Sequence, residues 1–153
     1  MKKLLLILFA FMLLFTTGCG KEQNIEGELA DLMTKVYEGI KDEEKPMMLM
    51  NVEVNGENVE GFLGKADIEY ENALASESGV GSIAHSVVLV RAKDGQDVEK
   101  LKKDIKDNIN PRKWICVGVE EENVIVDSIG DLVILIMENN YPEKLHENFK
   151  NLK

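Results

Sequence analysis

A chain of 153 residues with 28 acidic and 18 basic side chains carries a formal charge of −10. That balance excludes the clustered Lys and Arg by which proteins grip nucleic acid, and equally an electrostatic hold on anionic lipid. Basic peptides, divalent cations or a cationic protein face stay open as partners, and plain solubility explains the charge as well.

The N-terminus carries the strongest signal. Met1-Lys2-Lys3 is followed by an apolar run of 12 residues, Leu4 to Phe15, and then by Thr16-Thr17-Gly18-Cys19. A short positive start, an apolar stretch and small residues before a cysteine read as a lipoprotein signal peptide over 1–18, cleaved between Gly18 and Cys19. Crossing the hydrocarbon core takes about 20 apolar residues, so the run is too short for a membrane span. A covalent diacylglycerol on Cys19 then becomes the anchor, and more than one acyl chain holds a membrane stably. The expected location is the outer face of the cell membrane. Of the 18 basic residues, 16 are Lys, a bias common in bacteria with AT-rich genomes. Losing Lys2 and Lys3 takes the charge from −10 to −12. Residues 19–24 form the lipidated cysteine and a short polar tether, and 25–153 a single domain of a size that supports a core. Lipidation of Cys19 leaves Cys116 as an odd thiol, read as a core residue within apolar Trp114-Ile115-Cys116-Val117.

In chain order, Ile25, Leu29, Leu32, Val36, Tyr37 and Ile40 form one stripe of a helix over 25–40, with Asn24 able to cap it. Lys41 to Pro46 breaks it. Met47 to Val54 alternates as a strand, and Asn58 to Leu63 is a short helical turn before Gly64. Ile68 to Ala75 alternates as an antiparallel strand with one wet face. Ser76 to Ser82 is a flexible loop, and Ile83 to Ala92, apolar on both faces, is a central strand. Asp94 and Asp97 resemble a capping box for a helix to Asn108, stopped by Pro111. Val124 to Ser128 and Leu132 to Met137 are strands around a Gly130-Asp131 turn. Pro142 opens a last helix whose apolar side is Leu145, Phe149 and Leu152. The expected fold is α+β: a two-layer sandwich with a mostly antiparallel sheet of four to five strands and helices on one face. Its core order is β-β-α-β-β-α, preceded by a helix and a strand.

Several stretches together carry a resemblance. These are Val59-Glu60-Gly61-Phe62-Leu63-Gly64, Gly79-Val80-Gly81-Ser82-Ile83-Ala84, His85 to Asp94, and Gly130-Asp131-Leu132-Val133-Ile134-Leu135-Ile136. The pattern resembles a family of small bacterial lipoproteins carrying a domain of unknown function, over about two thirds of the chain. The resemblance implies a fold and a surface location and supplies no catalytic residue.

No catalytic set is legible. His85 and Ser86 are neighbours on a strand and point to opposite faces, which defeats a Ser–His pair. His85 reads as a core or sheet-edge residue. Gly79 to Ser82 precedes a strand, whereas a phosphate cradle precedes a helix. Glu120-Glu121-Glu122 and Asp42-Glu43-Glu44 lack the alternating carboxylates of a calcium loop and read as solvated charge runs. No metal or other cofactor is expected. Arg112-Lys113-Trp114 is the sharpest candidate for a partner surface, with burial of Trp114 the competing expectation. The expected function is a non-enzymatic interaction or scaffold module for an envelope protein partner. The alternative is a small-ligand or cell-wall-fragment binder serving a transporter or envelope system. An enzyme of unrecognised chemistry is the third reading.

Overall fold

The computed structural model describes residues 24–153. The signal peptide, the Gly18–Cys19 junction and the tether up to residue 23 lie outside the described residues. The elements are α1 (Leu29–Val36), β1 (Leu49–Glu53), α2 (Val59–Leu63), β2 (Asn72–Ser78), β3 (His85–Arg91), α3 (Val98–Asn108), β4 (Val124–Ile129), β5 (Leu132–Glu138) and α4 (Pro142–Lys150). A single 3-10 turn, Glu121–Asn123, leads into β4.

The five strands form one sheet in the order β1-β2-β3-β5-β4, with every pairing antiparallel. The α+β class and the β-β-α-β-β-α core are therefore as the sequence indicates. Strand β3 is central, because Val87 to Val90 have apolar partners on both sides of the sheet. Alternate residues of β3 and β5 feed two cores. Val87, Leu89, Leu132, Ile134 and Ile136 pack under α1 and α4, which lie together on one face. Val88, Val90, Val133, Leu135 and Met137 pack with Val59 and Leu63 of α2 and Leu101 and Ile105 of α3. The expected helical layer is present on one face, and the second face carries a helical layer of its own. All seven residues of β5 are buried as a result.

Local chemistry sets the boundaries. Gly64 stops α2 in the left-handed region at φ 86°. Asp97, rather than Asp94, caps α3 by accepting the Lys100 backbone N–H at 3.0 Å. Gly130 turns the β4–β5 hairpin at φ 57°. Pro142 occupies the first turn of α4.

Two elements differ from expectation. The first helix covers 29–36 rather than 25–40, because Gly27 at φ 119° and Gly39 at φ 77° depart from helix at both ends. Asn24 does not cap it; Glu28 holds that position without a side-chain bond. Ile25, Tyr37 and Ile40 still reach the core from irregular backbone. Strand β2 runs 72–78, so Ile68 and Tyr70 precede it and Ser76 and Ser78 belong to it rather than to a loop.

Candidate functional site

The sheet has two ends of different chemistry. The chain enters at one of them. There Asn24 packs against Gly130 in the β4–β5 turn, close enough that a Cβ on Gly130 would collide with it. Arg91, the last residue of β3, donates to the Ile25 carbonyl at 2.8 Å and the Gly27 carbonyl at 3.1 Å, and lies 3.3 Å from the Asp131 carboxylate. We call this the entry end. Strand β3 spans six residue steps from Arg91 to His85, about 20 Å, and reaches the far end beside Ser78, Glu138 and Val124.

Every exposed large apolar side chain among the described residues lies at the far end. They are Met47 (69 % exposed), Met48, Met50, Ile115 (69 %) and Val117. Two segments carry them, and the Gly79–Ser82 loop joins the two. Gly79 donates to the Met48 carbonyl at 3.0 Å, and Ile115 donates to the Gly81 carbonyl at 2.8 Å. A Cβ on Gly79 would sit 3.2 Å from Met50 Cε, and one on Gly81 3.4 Å from Ile115 Cδ1, so glycine lets both segments close over the loop. Met48 (φ 54°) and Cys116 (φ 62°) are the only non-glycine residues with positive φ among those described, and both are in these segments.

Of the expected partner surface, Arg112 is exposed while Lys113 and Trp114 are half-buried. Trp114 packs on the second core, and its indole N–H donates to Glu77 at 3.0 Å. The Lys113 ammonium sits 3.2 Å from the same carboxylate and 3.1 Å from the Gly61 carbonyl. It lies 4.7 Å from the Phe62 ring centroid and 5.2 Å from that of Trp114. Burial pushes the Lys113 ammonium down, and Glu77 opposes that. Trp114 thus plugs the junction after α3, and a hollow of about 680 Å³ opens beside it, lined by Phe62, Glu77, Asn108 and Asn110. Cys116 corrects the expectation of a core thiol: it is exposed, because the chain after Trp114 turns outward instead of continuing as a strand.

Beneath the far end lies a buried polar network. His85 is fully buried, with Glu138 against its Nδ1 and the Tyr37 hydroxyl 2.6 Å from its Nε2. The second Glu138 oxygen accepts the Asn140 backbone N–H at 2.7 Å and its side-chain amide at 2.8 Å. Burial raises the Glu138 carboxyl, but the bonds from His85 and Asn140 outweigh it and hold the group below the usual carboxylate range. Burial pushes the Tyr37 hydroxyl far up, with Ser76 opposing by a side-chain hydrogen bond. Tyr37 and Ser76 line a hollow of about 290 Å³ between α1 and β1. His85 is a core residue as expected. The partnership with Glu138 was not legible, since 53 residues separate the two. His146 is 2.7 Å from Asp127, tying α4 to β4.

The acidic runs are solvated, as expected. Asp42, Glu43, Glu44, Glu120, Glu121 and Glu122 are all exposed. Among the described residues no group of three or more His, Cys, Asp or Glu side chains is placed to hold a metal ion, and no helix is long and apolar enough to cross a membrane. No family model, no characterised protein and no solved structure shows significant similarity to the chain.

Proposed function

We propose that the protein is an exported lipoprotein, anchored through diacylglycerol on Cys19, whose domain is a non-enzymatic interaction module for an envelope partner. One observation carries the reading: among the described residues, all the exposed large apolar side chains lie at the end of the sheet opposite Asn24. A tether of five residues spans at most about 18 Å, so a lipid at Cys19 holds the entry end near the bilayer and turns the far end outward. The fold has no need of these side chains outside, and contiguous exposed apolar surface marks contact with a partner.

The test combines lipid labelling with crosslinking. A fatty-acid analogue should label the wild type and not Cys19→Ser, and only the labelled protein should stay with membranes through carbonate washing. A photo-crosslinker at Ile115 should join the wild type to one discrete protein in cells, and the same group at exposed Lys103 should not. A wild type that takes no label, or equal crosslinking from both positions, overturns the reading.

A second reading, a small-ligand or cell-wall-fragment binder, draws on the hollow beside Trp114. Against it, Lys113 already covers the aromatic faces and Glu77 already takes the indole N–H. A thermal-shift panel of envelope sugars, peptides and cations tests it, since a ligand that binds the folded state raises the midpoint. No shift across the panel removes it.

A further inference from the structure

We infer that the far-end surface docks a cationic, amphipathic polypeptide segment, one with large apolar side chains flanked by Lys or Arg. The inference rests on the interaction-module reading and names the partner's chemistry.

Three observations converge. The surface is built from flexible, polarizable side chains, Met47, Met48 and Met50, beside Ile115, and methionine is the side chain that adapts to varied apolar partners. Its two segments each hold a non-glycine residue in the left-handed region, Met48 and Cys116. Such conformations are strained for a residue with a Cβ and cluster where a surface is shaped for contact.

Charge supplies the third. An acidic run precedes the methionines and another follows Val117. The lysines nearby are engaged: Lys45 pairs with Asp42 at 2.8 Å, Lys41 lies 3.9 Å from Glu43, and Lys113 is held by Glu77. Glu44, Glu120, Glu121 and Glu122 make no ion pair among the described residues; of the cations there, Arg112 makes none, and neither does Lys106, whose ammonium donates to the Val124 carbonyl. The rim of the apolar surface therefore carries a net negative field, which favours a basic partner.

The same charge argues against two other occupants. Anionic lipid is repelled, and the anchor places the bilayer at the other end. A second copy docking by this face would set the acidic runs against one another, because a two-fold interface uses the same patch twice.

The experiment uses the full mature lipoprotein in nanodiscs of zwitterionic lipid, with empty nanodiscs as the blank. The probe is a labelled amphipathic Leu/Lys peptide, compared with a Leu/Glu peptide of the same pattern. Saturable binding of the Leu/Lys peptide that weakens with salt is expected. Met50→Ser with Ile115→Ser should weaken it by at least about tenfold, with the melting temperature unchanged. Glu121→Lys with Glu122→Lys should weaken it and flatten the salt dependence. No saturable binding, equal binding of the Leu/Glu peptide, or binding indifferent to the serine pair overturns the inference, as does concentration-dependent self-association abolished by the serine pair. If the peptide fails while Ile115 still crosslinks to one protein in cells, the partner chemistry falls and the module reading stands. If both fail, both fall.

Discussion

At the entry end of the sheet, Arg91 ties down the Ile25 and Gly27 carbonyls, Asp131 closes the charge, and Ile25 is buried. At the far end, an equally ordered floor of Tyr37, His85, Glu138 and Asn140 underlies apolar side chains left in water. The first end is built so that its polar groups are satisfied within the chain. The second satisfies His85 and Glu138 below the surface, leaves the buried Ser86 and Tyr141 hydroxyls without a hydrogen-bond partner among the described residues, and leaves the apolar side chains above them without partners. Incomplete packing does not explain the exposure, because the backbone that presents it is fixed by hydrogen bonds to Met48 and Gly81 and rests on a buried network.

The comparison breaks most visibly at its floor. Glu138→Ala should cost about 3–5 kcal/mol, because removing one member of a buried, hydrogen-bonded pair strands the other. Urea unfolding with an unchanged slope measures it. A loss below about 1 kcal/mol would mean that the far end does not depend on this network.

Arg91→Met keeps the packing length of the side chain and removes its bonds to the entry segment. The expected loss is about 1.5–3 kcal/mol, the scale of hydrogen bonds to a charged group. Hydrogen exchange should rise at the amides following Ile25 and stay unchanged around His85. Equal acceleration at both ends would show that the two are not separate units.

Acid should act on the floor more gently than truncation, since protonating Glu138 removes charge and leaves the side chain in place. Its carboxyl is held low in the folded state, so the folded protein binds fewer protons there than the unfolded chain. The resulting stability is full above the ordinary glutamate value, near 4.3, and is lost as pH falls through the depressed folded value. Glu138→Gln should lose less stability than the wild type between pH about 5 and 3. Parallel acid profiles would exclude the network as a source of acid sensitivity.

Much of the scaffold was legible because its signals are local. Val87 to Val90 announce a strand covered on both sides, Gly130-Asp131 announces a turn, and Pro142 announces a helix start. What was not legible depends on distant partners. Ser76 and Ser78 look like loop residues until Tyr37 and the Met47 carbonyl supply their hydrogen bonds, the latter at 2.7 Å. Glu138 looks like a strand terminus until His85 is placed beside it. Ile115-Cys116-Val117 has the composition of a strand, and only the turn at Cys116 sends it into solvent. Apolar pattern reports which residues avoid water in a typical fold, and it cannot distinguish core from an interface awaiting its partner.

That distinction gives the smallest expected effect. Met47→Ser and Ile115→Ser remove side chains that are each 69 % exposed, so little apolar area returns to water on unfolding. Their combined cost in isolated protein should stay within about 0.5 kcal/mol, the range of surface substitutions that touch no cap, pair or core contact. Truncating buried Leu135 to Ala should cost about 2–5 kcal/mol, because it opens a cavity in a close-packed interior. Were the surface residues core in disguise, held out only by the conformation described, their loss would approach the Leu135 value and the unfolding slope would change. A neutral result places their worth outside folding. The crosslink from the far end should then weaken when Met47 is Ser, although the protein melts as before; Ile115, which carries the crosslinker, stays out of that test. Stability unchanged with crosslinking unchanged would leave this apolar surface with no role in either folding or binding.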